Sequence, residues 1–216
     1  MANLIRSPKS GSDWTGNDLV AYNIKIRLEP AATFFGDDAM PPPTVDQEIL
    51  TTQDAQDMSS DSNAELINLL DLAMICQPRT PPVARTRKEI PFYICGQWKH
   101  ATTDVCLVDR LQNDILLLVQ EDERSQPDHP RDPGPQLVMV GIALFGTTPT
   151  FYKIPVTAGL VCDVHYGAYP SKPTIVSVHV PELPSPAGRY NEGMKPLDNR
   201  QAVLRCYEAF RGIVGI

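Results

Sequence analysis

The stretch TTDVCLVDRLQNDILLLVQEDER, residues 102–124, decides how the rest of the chain folds. Its two apolar runs, DVCLVD and DILLLVQEDE, flank a polar turn and predict an antiparallel hairpin. With Gln112 and Asn113 as the loop, Leu107 faces Leu118 and Asp104 faces Glu121. Directly opposed residues of such a pair share a face about 5 Å apart. Asp104 and Glu121 are therefore expected side by side. Two carboxylates so close repel each other unless a cation sits between them, and an oxygen-only site suits a hard divalent ion. Glu123 falls on the face of Glu121. A one-residue slip would move every partner to the other face, and acids that merely solvate strand ends are the competing explanation.

The flanking segments extend this hairpin into a sheet. FYICGQW is expected as the first strand of an antiparallel meander over about residues 90–121, closed by Lys99 and His100. AYNIKIRL alternates, with Tyr22, Ile24, Ile26 and Leu28 on one face, which predicts a half-buried strand. SNAELINLLDLAMIC begins with a capping box, Ser62 and Glu65, and predicts a helix of about three turns. QLVMVGIALFG is apolar all round and fits a buried strand or a buried helix. FYKIPV is a strand that Pro155 demotes towards an edge, and TIVSVHV is a further strand. TAGLVCDVHYG is a short helix with Thr157 as cap and Gly167 as stop. DNRQAVLRCYEAFRGIV is a helix capped by Asp198 or Asn199. This interleaving predicts an α/β fold, a central mixed sheet flanked by helices.

The 216 residues suit one domain, 1–216. Residues 36–63 hold seven acids and no Lys or Arg, and are expected as a flexible acidic loop that accounts for the net charge of −7. That charge argues against a surface that coats nucleic acid generally, though not against a local basic groove. Arg79, Arg85, Arg87 and Lys88 form such a cluster, suited to phosphate or to the acidic loop of the same chain. No apolar run approaches a signal peptide or a membrane span. The five cysteines show no zinc-ligand spacing. An intracellular protein, cytoplasmic or nuclear, is the simplest expectation. No nucleophile elbow or phosphate-binding glycine loop is present. His165 and His179 lie in apolar segments and are expected to pack.

ARTRKEIPFYICGQWKHATTDVCLVDRLQNDILLLVQEDER, PTFYKIPVT and GMKPLDNRQAVLRCYEAF together resemble a group of uncharacterised fungal proteins. The central part of that group is similar to the PD-(D/E)xK nuclease superfamily. The resemblance runs from about residue 14 onward, and the superfamily motif covers only about residues 90–145. It implies a restriction-endonuclease-like core, in which a helix precedes a three-stranded meander and a second helix follows. One strand supplies Asp and the next supplies Glu-x-Lys. Carried across, Asp104 and Glu121 are the carboxylates that would hold Mg2+ or Mn2+, and Glu123 stands where the Lys is expected. That exchange reverses the charge beside the metal and removes the group that would stabilise a hydroxide or phosphate. Arg124 cannot replace the Lys as a base. Glu65 is the one candidate for a helix glutamate, and Gln136 for a glutamine at the start of the second helix. Between Glu121 and Thr148 there is room for a helix or a strand where both are expected, so the core is incomplete. The resemblance thus implies a nuclease-like domain whose chemistry has degenerated and which acts by binding or interaction. The alternative is a metal-dependent endo- or exonuclease. Nucleic acid, contacted through Arg85, Arg87 and Lys88, is one partner it implies; a protein partner is unspecified, and no membrane is involved.

Overall fold

A computed structural model of the chain describes residues 15–37, 39–62, 83–108, 115–121, 137–145, 147–184 and 193–214. Seven strands form one mixed sheet: β1 (Ile24–Leu28), β2 (Val83–Ile94), β3 (Gln97–Val108), β4 (Ile115–Glu121), β5 (Leu137–Phe145), β6 (Thr148–Val156) and β7 (Thr174–His179). Their order across the sheet is β1-β7-β6-β5-β4-β3-β2. The pairs β1–β7 and β4–β5 are parallel and the others antiparallel. The helices are α1 (Gly16–Ala21), α2 (Ala31–Phe35), α3 (Gln47–Thr51), α4 (Ala158–Tyr166) and α5 (Leu197–Val214). The expected α/β architecture with a mixed sheet is present.

The meander is longer than the sequence predicts. FYICGQW is not one strand: the chain reverses in its middle, at Cys95 and Gly96, whose φ angles are 49° and 76°. Two consecutive positive φ values match a type I′ turn, whose twist suits the flanking strands. β2 and β3 consequently pair from Ile94↔Gln97 to Val83↔Val108. QLVMVGIALFG resolves as a strand, β5, and not as the second helix expected to start at Gln136. Parallel pairing of β4 with β5 requires a crossover of roughly a dozen residues or more. Residues 122–136 make that connection and lie outside the described residues, as do Glu65 and most of the helix expected from Ser62. Residues 60–62 are helical, so helical structure is already present before the expected cap at Ser62. Ser59 is its cap, with Oγ accepting from the Ser62 N–H at 3.3 Å.

β6 pairs with β5 along its whole length but with β7 only at Phe151, Tyr152 and Lys153. Pro155 lies beyond that limit, so the missing N–H affects only the last residues of an otherwise interior strand. α4 has the expected ends. Thr157 Oγ1 accepts from the Leu160 N–H at 3.1 Å, and Gly167 closes the helix with a left-handed φ of 64°. α5 begins at Leu197, which moves Asp198 and Asn199 from the cap into the first turn.

α5 presses Val203, Leu204, Cys206, Tyr207 and Phe210 onto Val140, Ile142 and Phe151 of the sheet. Residues 36–63 join this core instead of forming a bare loop. Ile49 is fully buried and Ala55 and Met58 are nearly so. The acids there act as local caps: Asp46 accepts from the Glu48 N–H at 2.7 Å, and Asp54 from the Gln56 N–H at 2.9 Å. β1 departs from the half-buried expectation in the opposite sense. Ile26 and Leu28 are 57 % and 71 % exposed, and among the described residues β1 has a neighbouring strand on one side alone.

Candidate functional site

Asp104 lies inside β3 and Glu121 is the last residue of β4, so both expected carboxylates stand on the expected adjacent strands. Their register differs by one residue from the one the turn length gives. Val105 pairs with Val119, Cys106 with Leu118 and Leu107 with Leu117, and a bulge separates Leu107 from Val108, which pairs with Ile115. Leu107 is thus opposite Leu117 and not Leu118. Continuing from Val105↔Val119, position 104 stands opposite position 120. Position 121 belongs to the alternation of Val119 and Leu117, the other face of the sheet. On the far side of β3, Thr86 pairs with Val105 and Lys88 with Thr103. The intervening step puts position 104 opposite position 87, an arginine. Arg85 follows the alternation of position 87 and Lys88 the other. The phosphate-contact set Arg85, Arg87 and Lys88 is therefore divided between the two faces of an edge strand. Glu123 and Gln136 lie outside the described residues.

A divalent ion needs its carboxylates on one side of the backbone ladder. Continued one step past Val105↔Val119, the register sets positions 104 and 121 on alternate faces of the sheet. Among the described residues, no three His, Cys, Asp or Glu side chains gather as a metal-holding group.

The structure does assemble polar groups elsewhere, across β1, β7 and β6. Arg27, Ser177 and Lys153 are successive register partners. Glu29, just past β1, accepts from Ser177 Oγ at 2.9 Å and pairs with Arg27 Nη2 at 2.5 Å. Lys153 Nζ donates to the Phe34 carbonyl at the end of α2 and stands 4.7 Å over the Phe34 ring. Burial lowers the Lys153 pKa, against the opposing attraction of Glu29. No local pattern announces this row, because its members come from three separate segments and share no motif.

His179 packs, as expected, against the rings of Phe34, Phe35 and Phe151. Its Nδ1 lies 3.0 Å from the Glu29 carbonyl, which can only accept, so Nδ1 carries the proton. Nε2 then accepts from the Cys206 thiol at 3.7 Å. Although this couples a Cys to a His, it is not a nucleophilic pair: His179 is 3 % and Cys206 5 % exposed, and burial pushes the thiol up to about 12. A reactive cysteine needs a stabilised, accessible thiolate. His165 lies with its ring 4.4 Å from that of Tyr93 and 4.7 Å from that of Tyr166, while His100 is exposed.

No helix among the described residues is long and apolar enough to cross a membrane. No protein-family model matches the chain, and no curated protein matches it.

Proposed function

We propose that the chain is a PD-(D/E)xK-like domain without phosphodiesterase chemistry, which works by binding other molecules. The observation that carries this is the β3–β4 register, which sets positions 104 and 121 on opposite faces. Two further features support it. The three-stranded antiparallel meander β2-β3-β4 is of the kind the superfamily uses, which supports the likeness. Position 123 then offers a carboxylate where hydrolysis needs an ammonium, which repels the phosphate and any hydroxide beside it.

The test is incubation of the purified chain and of Asp104→Ala with single- and double-stranded DNA and RNA in Mg2+ or Mn2+. No cleavage by either protein is expected, and thermal stability should not change with metal, since an ion that binds only the native state raises the midpoint. Cleavage by the unmodified chain that Asp104→Ala abolishes would establish the alternative, a metal-dependent nuclease.

A further inference from the structure

β1 ends the sheet, and its construction leaves one edge available. Thr174 N–H donates to the Asn23 carbonyl at 3.0 Å, and Glu29 N–H donates to the Val178 carbonyl at 2.8 Å. In a strand the N–H and C=O of one residue point the same way and alternate along the chain. Asn23, Lys25, Arg27 and Glu29 therefore direct their backbone groups to β7, and Ile24, Ile26 and Leu28 direct theirs outward. Among the described residues nothing pairs with that outward side. The side chains alternate too: Ile26 and Leu28 stand exposed on one face, and Lys25 and Arg27 on the other. Val20, in the helix just before, is a further exposed apolar residue, at 69 %.

Such an edge is a template for another strand, and proteins that keep no partner there blunt it with proline, bulges, short strands or charged side chains. β1 is five residues long and carries Lys25 and Arg27, so only a strand that complements those charges can add to it. β1 has no proline, and β1 and β7 pair without a bulge. Its charges select the occupant. If two copies paired antiparallel about Ile26, Lys25 of one would oppose Arg27 of the other, and like charges directly opposite are destabilising. Glu29 offsets Arg27 alone, while Lys25 has no ion pair among the described residues. A strand bearing carboxylates on the Lys25 face and branched apolar residues on the Ile26 face complements both sets.

We infer that the outer edge of β1 docks an extended peptide segment that alternates acidic and apolar residues, by strand addition. β1 is the edge opposite β2, so the inference stands or falls independently of any chemistry at Asp104.

The test uses the whole chain and a fluorescein-labelled peptide, Thr-Val-Glu-Val-Glu-Val-Thr, with fluorescence anisotropy as readout. The same peptide carrying Lys for Glu is the control. Saturable binding of the acidic peptide is expected, with the Lys peptide weaker by about tenfold or more. Ile26→Pro removes an outward N–H and none of the bonds to β7, so it should abolish binding while the melting curve stays cooperative. Should that variant fail to fold, Lys25→Glu serves instead and should reverse the preference between the two peptides. Absence of binding, equal binding of both peptides, or binding insensitive to these substitutions would overturn the inference. So would a dimer in analytical ultracentrifugation that Lys25→Glu alters, because the edge would then belong to a second copy.

Discussion

Arg200 shows how a charged residue can serve as a fastener. Its side chain is fully buried, and its guanidinium donates to the Thr52 carbonyl at 2.9 and 3.2 Å and to the Lys195 carbonyl at 3.1 Å. It ties α5 to the acidic segment through carbonyls, with Asp54 supporting its charge against the burial that lowers its pKa. Removing a charged donor leaves those acceptors dry, at about 1.5–3 kcal/mol for bonds of this type. Arg200→Ala should therefore lower stability by about 3 kcal/mol in urea unfolding, with the additional loss of packing. His179 makes a prediction in pH. Burial lowers its pKa below the ordinary value of about 6.5, outweighing the hydrogen bond to Glu29 and the charge of Glu182. The unfolded chain then binds the proton more readily than the folded one, so stability rises with pH across this window. The histidine contribution is complete above about pH 6.5 and is lost as pH falls below it. His179→Phe should flatten that part of a stability–pH profile; an unchanged slope would locate the effect elsewhere.

At the scale of elements, the outcome of each sequence expectation follows from where its signal resides. α4 was legible because Thr157 and Gly167 act locally, through a side-chain cap and a left-handed glycine. The turn at Cys95 and Gly96 was not. It lacks the Asn-Gly or Asp-Gly pair that marks such hairpins, and it is held from outside: the Cys95 N–H donates to Val164 and the Gly96 N–H to His165, both at 3.2 Å. These bonds satisfy carbonyls at the end of α4, which no local pattern reveals. The contact is close enough to test. A Cβ at Gly167 would come within 3.1 Å of Cys95 Sγ, at a φ that disfavours any side chain. Gly167→Ala should cost about 1–3 kcal/mol, measured by chemical unfolding. The burial of residues 36–63 was hidden for another reason. Ile49, Ala55 and Met58 follow neither helical nor strand period, so only their packing against the rest of the core identifies them.

Across the whole molecule, the hairpin tip at one end of the sheet meets the segment that precedes the opposite edge. Tyr22 Oη lies 3.2 Å from Cys95 Sγ, so the β2–β3 turn touches the residues that lead into β1. The meander and β1 belong to one sheet, with hydrolysis proposed absent at the former and peptide docking proposed at the latter. The candidate carboxylates were legible as to strand but not as to face. Turn counting assumes an unbroken ladder, and the bulge between Leu107 and Val108 shifts the register by one residue. Everything about a shared metal depends on that shift. Interstrand nuclear Overhauser effects measure it directly, because opposed antiparallel residues bring α-protons close at non-hydrogen-bonded pairs and amide protons close at the hydrogen-bonded pairs that alternate with them. The register predicts cross-strand contacts linking residues 105 with 119 and 106 with 118; contacts linking 104 with 121 and 107 with 118 would return both carboxylates to one face and contradict the loss of the site.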